Sequence, residues 1–284
     1  MTNPAMRAAP AAMTDEEYLL LNELIAAAIG ISFPGHKREV LEARLRPRLQ
    51  ALRLPTYLDY YFVLQSGDEG ERCRLAELVT NNETYFFREA QQFDALFEQA
   101  LEDLRPGAAT PGALRLLLAG CSSGEEAYTL AITARQNFVR LVGTALSVDA
   151  FDVDATRVEA AQRAEYGNHS FRATSPEQLE RYFVPAADRW TVKPFLRGGL
   201  RFFRGNIVER DSFAAPVAYD AVFCRNVLIY FSEAALHRAV ENFASVLRPG
   251  GLLFLGHSES IIGLSKRFET VRLDHLIAYR KVGV

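Results

Sequence analysis

Leu116-Leu117-Leu118-Ala119-Gly120-Cys121-Ser122-Ser123-Gly124-Glu125-Glu126, continued by Ala127-Tyr128-Thr129-Leu130-Ala131, is an apolar run that breaks into a Gly/Ser turn and resumes as a helix-competent segment. The run is short enough to be a buried strand. Strand, glycine turn and helix, in that order, is how open α/β sheets build a ligand site at the carboxyl edge of the first strand. The glycines permit a tight turn and close backbone approach to a ligand. Glu125 and Glu126 stand where a phosphate-binding loop carries Lys or bare amides. Carboxylates there repel phosphate, which argues against a nucleoside triphosphate or a dinucleotide. They suit a ligand with positive charge, and S-adenosylmethionine carries an ammonium and a sulfonium. On this turn alone, a purely structural strand–helix junction explains the residues equally well.

Downstream, Thr144 to Asp152 reads as a second strand that ends in acid. An acidic residue at that position is placed to take both hydroxyls of a ribose. Asp152 is the candidate, although an Asp there also serves as a cap, and Asp154 reads as the N-cap of a helix over Ala155–Ala164. Tyr166 to Gly199 is too long for a plain connection, which predicts an inserted subdomain. Within it Ser175–Phe183 is a short helix and Trp190–Phe195 is strand-like. Gly199–Ile207 is the third strand and Asp220–Asn226 the fourth, followed by Val227 to Phe231. Ser232 caps a helix to Leu247, and Arg248-Pro249-Gly250-Gly251 turns the chain into a fifth strand, Leu252–His257. Polar residues gather at the strand ends, as a ligand cleft on a mostly parallel sheet requires.

Upstream, residues 1–12 read as a loose Ala/Pro-rich tail. Thr14 with Asp15, Glu16 and Glu17 opens a first helix that runs to Ile29. A second helix starts near His36, with Leu41, Leu45, Leu49 and Leu52 on one face. Lys37, Arg44 and Arg48 form a cationic stripe beside it, either a solvated face or a docking surface. Pro47 inside the helix is predicted to kink or shorten it. Leu58–Leu64 and Cys73–Leu78 supply further helical segments, so 13–80 reads as an all-helical domain. Residues 81–96 form a linker that contributes to the active site. Its stretch Asn81-Asn82-Glu83-Thr84-Tyr85-Phe86-Phe87-Arg88-Glu89 is either a hinge whose aromatics pack into both neighbours or a wall that sets Asn82, Thr84 and Arg88 over a pocket. A helix resumes from Phe93 to Leu104, and Pro106–Gly112 is a linker into the central strand. Residues 97–284 complete the α/β domain, with the inserted subdomain at about 167–199.

At 284 residues and 49% hydrophobic, the chain can bury at least one substantial core. A formal net charge of -3 gives no general attraction to nucleic acid. The three cysteines, Cys73, Cys121 and Cys224, have no metal-type spacing and read as reduced thiols of a cytoplasmic protein. No metal site is expected. No apolar run is long enough to span a bilayer, and the start lacks the layout of a secretion signal.

Taken together these motifs resemble the CheR-type chemoreceptor glutamate methyltransferases of bacterial chemotaxis, over Asp15 to Val282. The resemblance rests on the stretch from Asn82 to Glu89, on Gly120 to Glu126 and on Phe151-Asp152-Val153-Asp154. It rests equally on Ser175 to Phe183, on Phe223-Cys224-Arg225-Asn226-Val227-Leu228-Ile229-Tyr230-Phe231 and on Gly256-His257-Ser258-Glu259. It implies a Rossmann-like S-adenosylmethionine-dependent methyltransferase domain, an N-terminal all-helical domain and a small inserted β-subdomain. It implies roles as well. Asn82, Thr84 and Arg88 would reach S-adenosylmethionine from the linker, and Glu126, with Glu125 beside it, would receive the methionine ammonium. Asp152 would hold the ribose, Asn206 and Ile207 would flank the adenine, and Arg225 and Asn226 would line the cofactor. Tyr230 would lie next to the transferring methyl, with Arg88 orienting the incoming carboxylate.

The implied partners are the acidic, amphipathic methylation helices of chemoreceptors, docked on Lys37, Arg44 and Arg48. S-adenosylhomocysteine is the implied product. Val184 to Arg197 is compact and has no glycine, so no dependence on a tethering pentapeptide is expected. A monomer is expected, without nucleic-acid binding or membrane insertion. The competing readings are a cofactor-binding signalling module without catalysis, and a methyltransferase acting on RNA or a small molecule; the single basic stripe disfavours RNA.

Overall fold

The computed structural model describes residues 11–105, 108 and 112–283. The expected tail lies outside them except for its last two residues, as does most of the Pro106–Gly112 linker. Contacts divide the chain into two units, the segment up to Asn81 together with Tyr230–Ser232, and Asn82–Ile229 with the rest from Glu233.

In the helical unit, α1 (Asp15–Ile29) opens on a capping box between Thr14 and Glu17 and closes on Gly30. Glu17 also accepts the Leu58 amide at 2.9 Å, which ties α1 to α3 (Tyr57–Gln65). Gly30, at φ +90°, meets Phe231 so closely that a Cβ would lie 2.7 Å from the ring, and Ile31 bridges to Phe231. A 3-10 turn, Gly35–Lys37, precedes α2 (Arg38–Leu52), which buries Leu41, Leu45 and Leu49. Pro47 does not shorten α2. Both Pro47 and Ala43, whose carbonyl loses its helical donor, are exposed, so water takes the place of the missing N–H.

The cationic stripe is not a uniformly solvated face. The Arg48 guanidinium pairs with Glu71 of α4 (Glu69–Val79), its Nε at 2.9 Å from Oε1, and the Tyr60 hydroxyl donates to the same oxygen at 2.8 Å. Arg44 donates to the carbonyls of Val79 and Thr80 at the end of α4 and lies over the Phe33 ring. Lys37 is exposed.

In the second unit, the helical run of α5 (Gln91–Ala95) and α6 (Leu101–Leu104) is joined by a π-helical turn, Leu96–Ala100. Then come β1 (Ala113–Ala119), α7 (Glu125–Gln136), β2 (Ala145–Asp152) and α8 (Ala155–Arg163). Asp154 caps α8 by accepting the amides of Thr156 and Arg157. The inserted part follows as β3 (Glu165–Tyr166), α9 (Pro176–Tyr182), β4 (Phe183–Ala186) and β5 (Arg189–Val192), a small antiparallel sheet in the order β3-β5-β4. The stretch after Val192 forms a 3-10 turn, not a continued strand, because Pro194 cannot donate to a ladder. The chain returns through β6 (Leu200–Arg204), β7 (Tyr219–Cys224), α10 (Glu233–Val246), β8 (Leu247–Leu255), β9 (Phe268–Leu273) and β10 (Leu276–Lys281).

The main sheet has seven strands in the order β6-β2-β1-β7-β8-β10-β9. Its first five are parallel, and the last two form an antiparallel hairpin on β8. β8 begins at Leu247, earlier than the Arg248–Gly251 turn predicts, and a register irregularity against β7 absorbs the glycines. Leu116, Leu118, Ala221, Phe223, Leu252 and Phe254 bury one face of this sheet beneath Phe93, Leu96 and Leu101. Phe86, fully buried, stacks on Phe171 with centroids 5.1 Å apart and meets Tyr166 and Phe183 edge-on. The aromatic run after Asn82 is thereby fastened to the inserted sheet.

A buried ion pair braces the unit. Asp220 is fully buried, takes the Arg248 Nε at 2.7 Å and the Arg115 amide at 2.8 Å. Removing one partner leaves a buried guanidinium uncompensated, at a cost of about 3–5 kcal/mol. Asp220→Ala should therefore lower the unfolding free energy by about that much in urea titrations; a loss below about 1 kcal/mol would show that water reaches the site.

Candidate active site at the reversal of strand order

From β1 the chain progresses to β2 and β6 on one side, while β7 and β8 lie on the other. The order therefore reverses between β1 and β7, and the loops leaving their carboxyl ends open a crevice there. The two loops touch, since a Cβ on Gly120 would lie 2.6 Å from Val227 Cγ2. Gly120, Ser122 and Gly124 all take positive φ, at 79°, 47° and 91°. Gly124 packs on Ala161, 2.7 Å from where its Cβ would be. The glycine turn is tight because both of its glycines are pressed by side chains from elsewhere.

Asp152, at the end of β2, is buried and closes the loop from below. Its Oδ2 accepts the Ser122 amide at 2.8 Å and its Oδ1 the Asp154 amide at 3.0 Å. Burial pushes its carboxyl up to about 6, against the pull of these amides. Glu126, the second residue of α7, is half-buried. Burial raises its pKa, and Arg225, whose Nε lies 3.5 Å from Oε1, draws it back. Glu125, one residue earlier, is differently employed. Its two carboxylate oxygens take the hydroxyls of Ser123 and Ser170, each at 2.8 Å, so it anchors the start of α7, whereas Glu126 has Arg225 as its partner.

Arg225, at the end of β7, is enclosed and spends its guanidinium on the main chain of the linker. Nη1 donates to the Glu89 carbonyl at 3.1 Å and Nη2 to the Arg88 carbonyl. The plane lies over the Phe93 ring, 4.9 Å from its centroid, and Nε is buried without a hydrogen bond. Phe87 and Glu89, on either side of Arg88, take left-handed φ of 63° and 48°. Arg88 therefore projects from a strained segment that Arg225 holds down. Its own guanidinium donates to the Glu83 carbonyl at 2.9 Å.

Glu89 gathers the remaining polar groups. Its carboxylate receives the Asn226 amide at 3.3 Å and faces His257 Nδ1 at 2.8 Å. Burial pushes Glu89 up, but His257, Arg225 and Asn226 outweigh it and hold it below the usual carboxylate range. Asn82 donates to Asp154 Oδ2 at 2.9 Å, and its carbonyl accepts the Ser122 hydroxyl at 3.5 Å. Thr84 is half-buried in the same linker. Asn206 and Ile207 follow β6, both buried, with the Ile207 carbonyl taking the Asn242 amide at 2.9 Å. Tyr230 groups instead with the helical unit, where its hydroxyl receives the Asn81 side-chain amide at 2.6 Å and its carbonyl the Ser32 amide at 2.9 Å.

The residues fit S-adenosylmethionine. A half-buried acid would suit an ammonium and a buried acid at the end of β2 would suit ribose hydroxyls, with a glycine turn beside them that leaves room for close approach. Sequence reasoning missed Glu89 and His257, and gave Glu259 no role. The acid following Arg88 and the Gly256–Glu259 motif were the available signals. Among the described residues no helix is long and apolar enough to cross a membrane, and no group of three or more His, Cys, Asp or Glu is placed to hold a metal ion.

Comparison with known proteins gives the family. Residues 16–80 match the all-alpha domain of CheR methyltransferases, and residues 82–277 match their SAM-binding domain. The chain is 33% identical to the chemotaxis protein methyltransferase of Escherichia coli, over 95% of this chain and 93% of that one. It is 31% identical to chemotaxis protein methyltransferase 2 of Vibrio cholerae, over 95% and 94%. A probable biofilm formation methyltransferase of Pseudomonas aeruginosa is 34% identical over 84% of this chain and 55% of its own length. The chain belongs to the CheR methyltransferase family and is an S-adenosylmethionine-dependent methyltransferase.

Proposed function

We propose that this enzyme transfers the methyl group of S-adenosylmethionine to glutamate side-chain carboxylates of chemoreceptor cytoplasmic helices. The observation that carries the reading is Arg88, a cation held on a strained segment by Arg225 and close enough for its charge to act on Glu126. An anionic acceptor is what such a cation would orient.

A glutamate carboxylate is already ionised at neutral pH, its ordinary pKa being about 4.3, so no general base is required. One carboxylate oxygen attacks the methyl carbon in line, and the carbon–sulfur bond breaks with its electron pair going to sulfur. The products are a glutamate methyl ester and S-adenosylhomocysteine. The protein's task is alignment and exclusion of water. In this reading Glu126 receives the ammonium and Asp152 the ribose hydroxyls. Asn82, Thr84, Asn206, Ile207 and Asn226 complete the cofactor's surroundings. Glu125 and Arg225 act from behind, one fixing the start of α7 and the other the Arg88 segment. Tyr230 enters through its motif alone, as a hydrogen-bond donor or packing group in the transfer step.

Receptor helices of acidic character would dock on the α2 surface through Lys37. Arg44 and Arg48 would contribute the part of their charge that Glu71 and the α4 carbonyls leave outward. The enzyme would act in the cytoplasm as a monomer, without a pentapeptide tether. Chemotaxis is the favoured pathway, because several relatives bear that name.

Arg88→Ala should lower kcat on a receptor cytoplasmic fragment at least a hundredfold with the melting temperature retained; near-normal turnover would remove Arg88 from the mechanism. Tyr230→Phe separates hydrogen bonding from packing, and a fall in kcat without a change in KM for the receptor is expected. Asp152→Ala should abolish measurable binding of S-adenosylmethionine in calorimetric titration. Asp152 has a raised pKa in the free protein, so it takes up its proton as the pH falls through about 6. The protonated acid accepts hydroxyl hydrogen bonds poorly. Affinity for S-adenosylhomocysteine should therefore fall by up to about tenfold per pH unit below that point, and a flat profile from pH 7.5 to 5 would show that Asp152 does not bind the ribose as a carboxylate.

A further inference from the structure

The motif Gly256-His257-Ser258-Glu259 follows β8, and its last residue lies outside every role assigned so far. The Glu259 side chain turns back toward the loop after β7. Its Oε2 accepts the amides of Gly256 at 2.6 Å and Asn226 at 2.9 Å. Its Oε1 accepts the amides of Val227 at 2.8 Å and Ile229 at 3.3 Å. Main-chain N–H groups of two separate segments thus converge on one carboxylate, two on each oxygen.

The turn so gathered is the one that positions the site. Asn226 sits in it at φ 58°, a left-handed backbone that Asn adopts more readily than most residues with a side chain. Gly256 is pressed against it, since a Cβ would fall 2.8 Å from Asn226 N, 2.7 Å from its Nδ2 and 2.8 Å from Glu259 Oε2. On its far side the turn sets Val227 against Gly120 of the cofactor loop and points the Asn226 amide at Glu89, next to Arg88. Carboxylate, glycine and left-handed turn form one packed unit, and both the cofactor loop and the Arg88 segment lean on it.

We propose that Glu259 is a positioning residue for cofactor binding, its carboxylate fixing the Asn226–Ile229 turn in the conformation that shapes the S-adenosylmethionine pocket. The inference rests on the pocket between Gly120 and Asn226 being the cofactor site, and not on which acceptor receives the methyl. Glutamine is nearly the same shape but cannot do this work. One of its two terminal groups is an NH2, which would point donors at two N–H donors and leave a pair of amides unpaired.

The test uses the full chain as wild type, Glu259→Gln and Glu259→Ala. S-adenosylhomocysteine binding is measured by calorimetry, melting temperature in the absence of ligand, and initial rates over a range of S-adenosylmethionine concentrations. Glu259→Gln is expected to melt within about 5 °C of wild type, the shift that about 2 kcal/mol gives in a domain of this size, yet to bind S-adenosylhomocysteine at least tenfold more weakly. KM for S-adenosylmethionine should rise in step while KM for the receptor fragment stays unchanged, and saturating S-adenosylmethionine should restore turnover. Binding by Glu259→Gln within twofold of wild type overturns the proposal. Loss of folding in both variants also overturns it, because the carboxylate would then serve the whole domain. A wild type that binds no S-adenosylhomocysteine overturns the pocket reading beneath it, a result visible before any variant is compared.

Discussion

The buried guanidinium of Arg225 is the constraint on which the site depends. Removing a charge from water is tolerated only where its hydrogen bonds and a counter-charge are supplied, and here the linker's carbonyls and Glu126 supply them. In satisfying itself, Arg225 pulls Arg88 and Glu89 toward the end of β7 and stabilises left-handed backbone on both sides of Arg88. Local strain of this kind persists only where surrounding structure over-determines it. The Arg88 backbone is thereby fixed, while its guanidinium bonds the Glu83 carbonyl of the same linker.

The same geometry settles a problem of charge. Transfer of a methyl from a sulfonium to a carboxylate brings together a cation and an anion and leaves two neutral products. A low-dielectric pocket favours such a reaction, because water stabilises the separated charges of the reactants more than it does the products. Asp152 is buried and Glu126 half-buried at this edge of the sheet, and that burial raises the pKa of both carboxyls. In the proposed reading both acids face a cationic cofactor, whose positive charge would compensate for the water they have lost.

The central fold was legible from Leu116–Glu126 because the strand, the turn and the helix announce themselves within a dozen residues. Asp152 was legible for the same reason, as an acid at a strand end. The hairpin of β9 and β10 was not foreseen, since it carries no motif and its pairing with β8 is antiparallel in a sheet otherwise read as parallel. Pro47 does not shorten α2 because it lies on an exposed face, and propensity ignores which face a residue occupies. Glu125 and Glu126 could not be separated in sequence. Only the hydroxyls of Ser123 and Ser170, one of them 45 residues away, decide which acid is spent. The same holds for Arg44 and Arg48, whose partners on α4 become apparent only after the helices pack.

The central claim is that the methyl is delivered to a carboxylate. Incubation with a receptor cytoplasmic fragment and methyl-labelled S-adenosylmethionine, followed by mild alkali, tests it directly. A glutamate methyl ester hydrolyses and releases the label as methanol, which is the result this account predicts. Label that resists alkali, as on nitrogen, or no transfer by an enzyme that binds the cofactor, would contradict it.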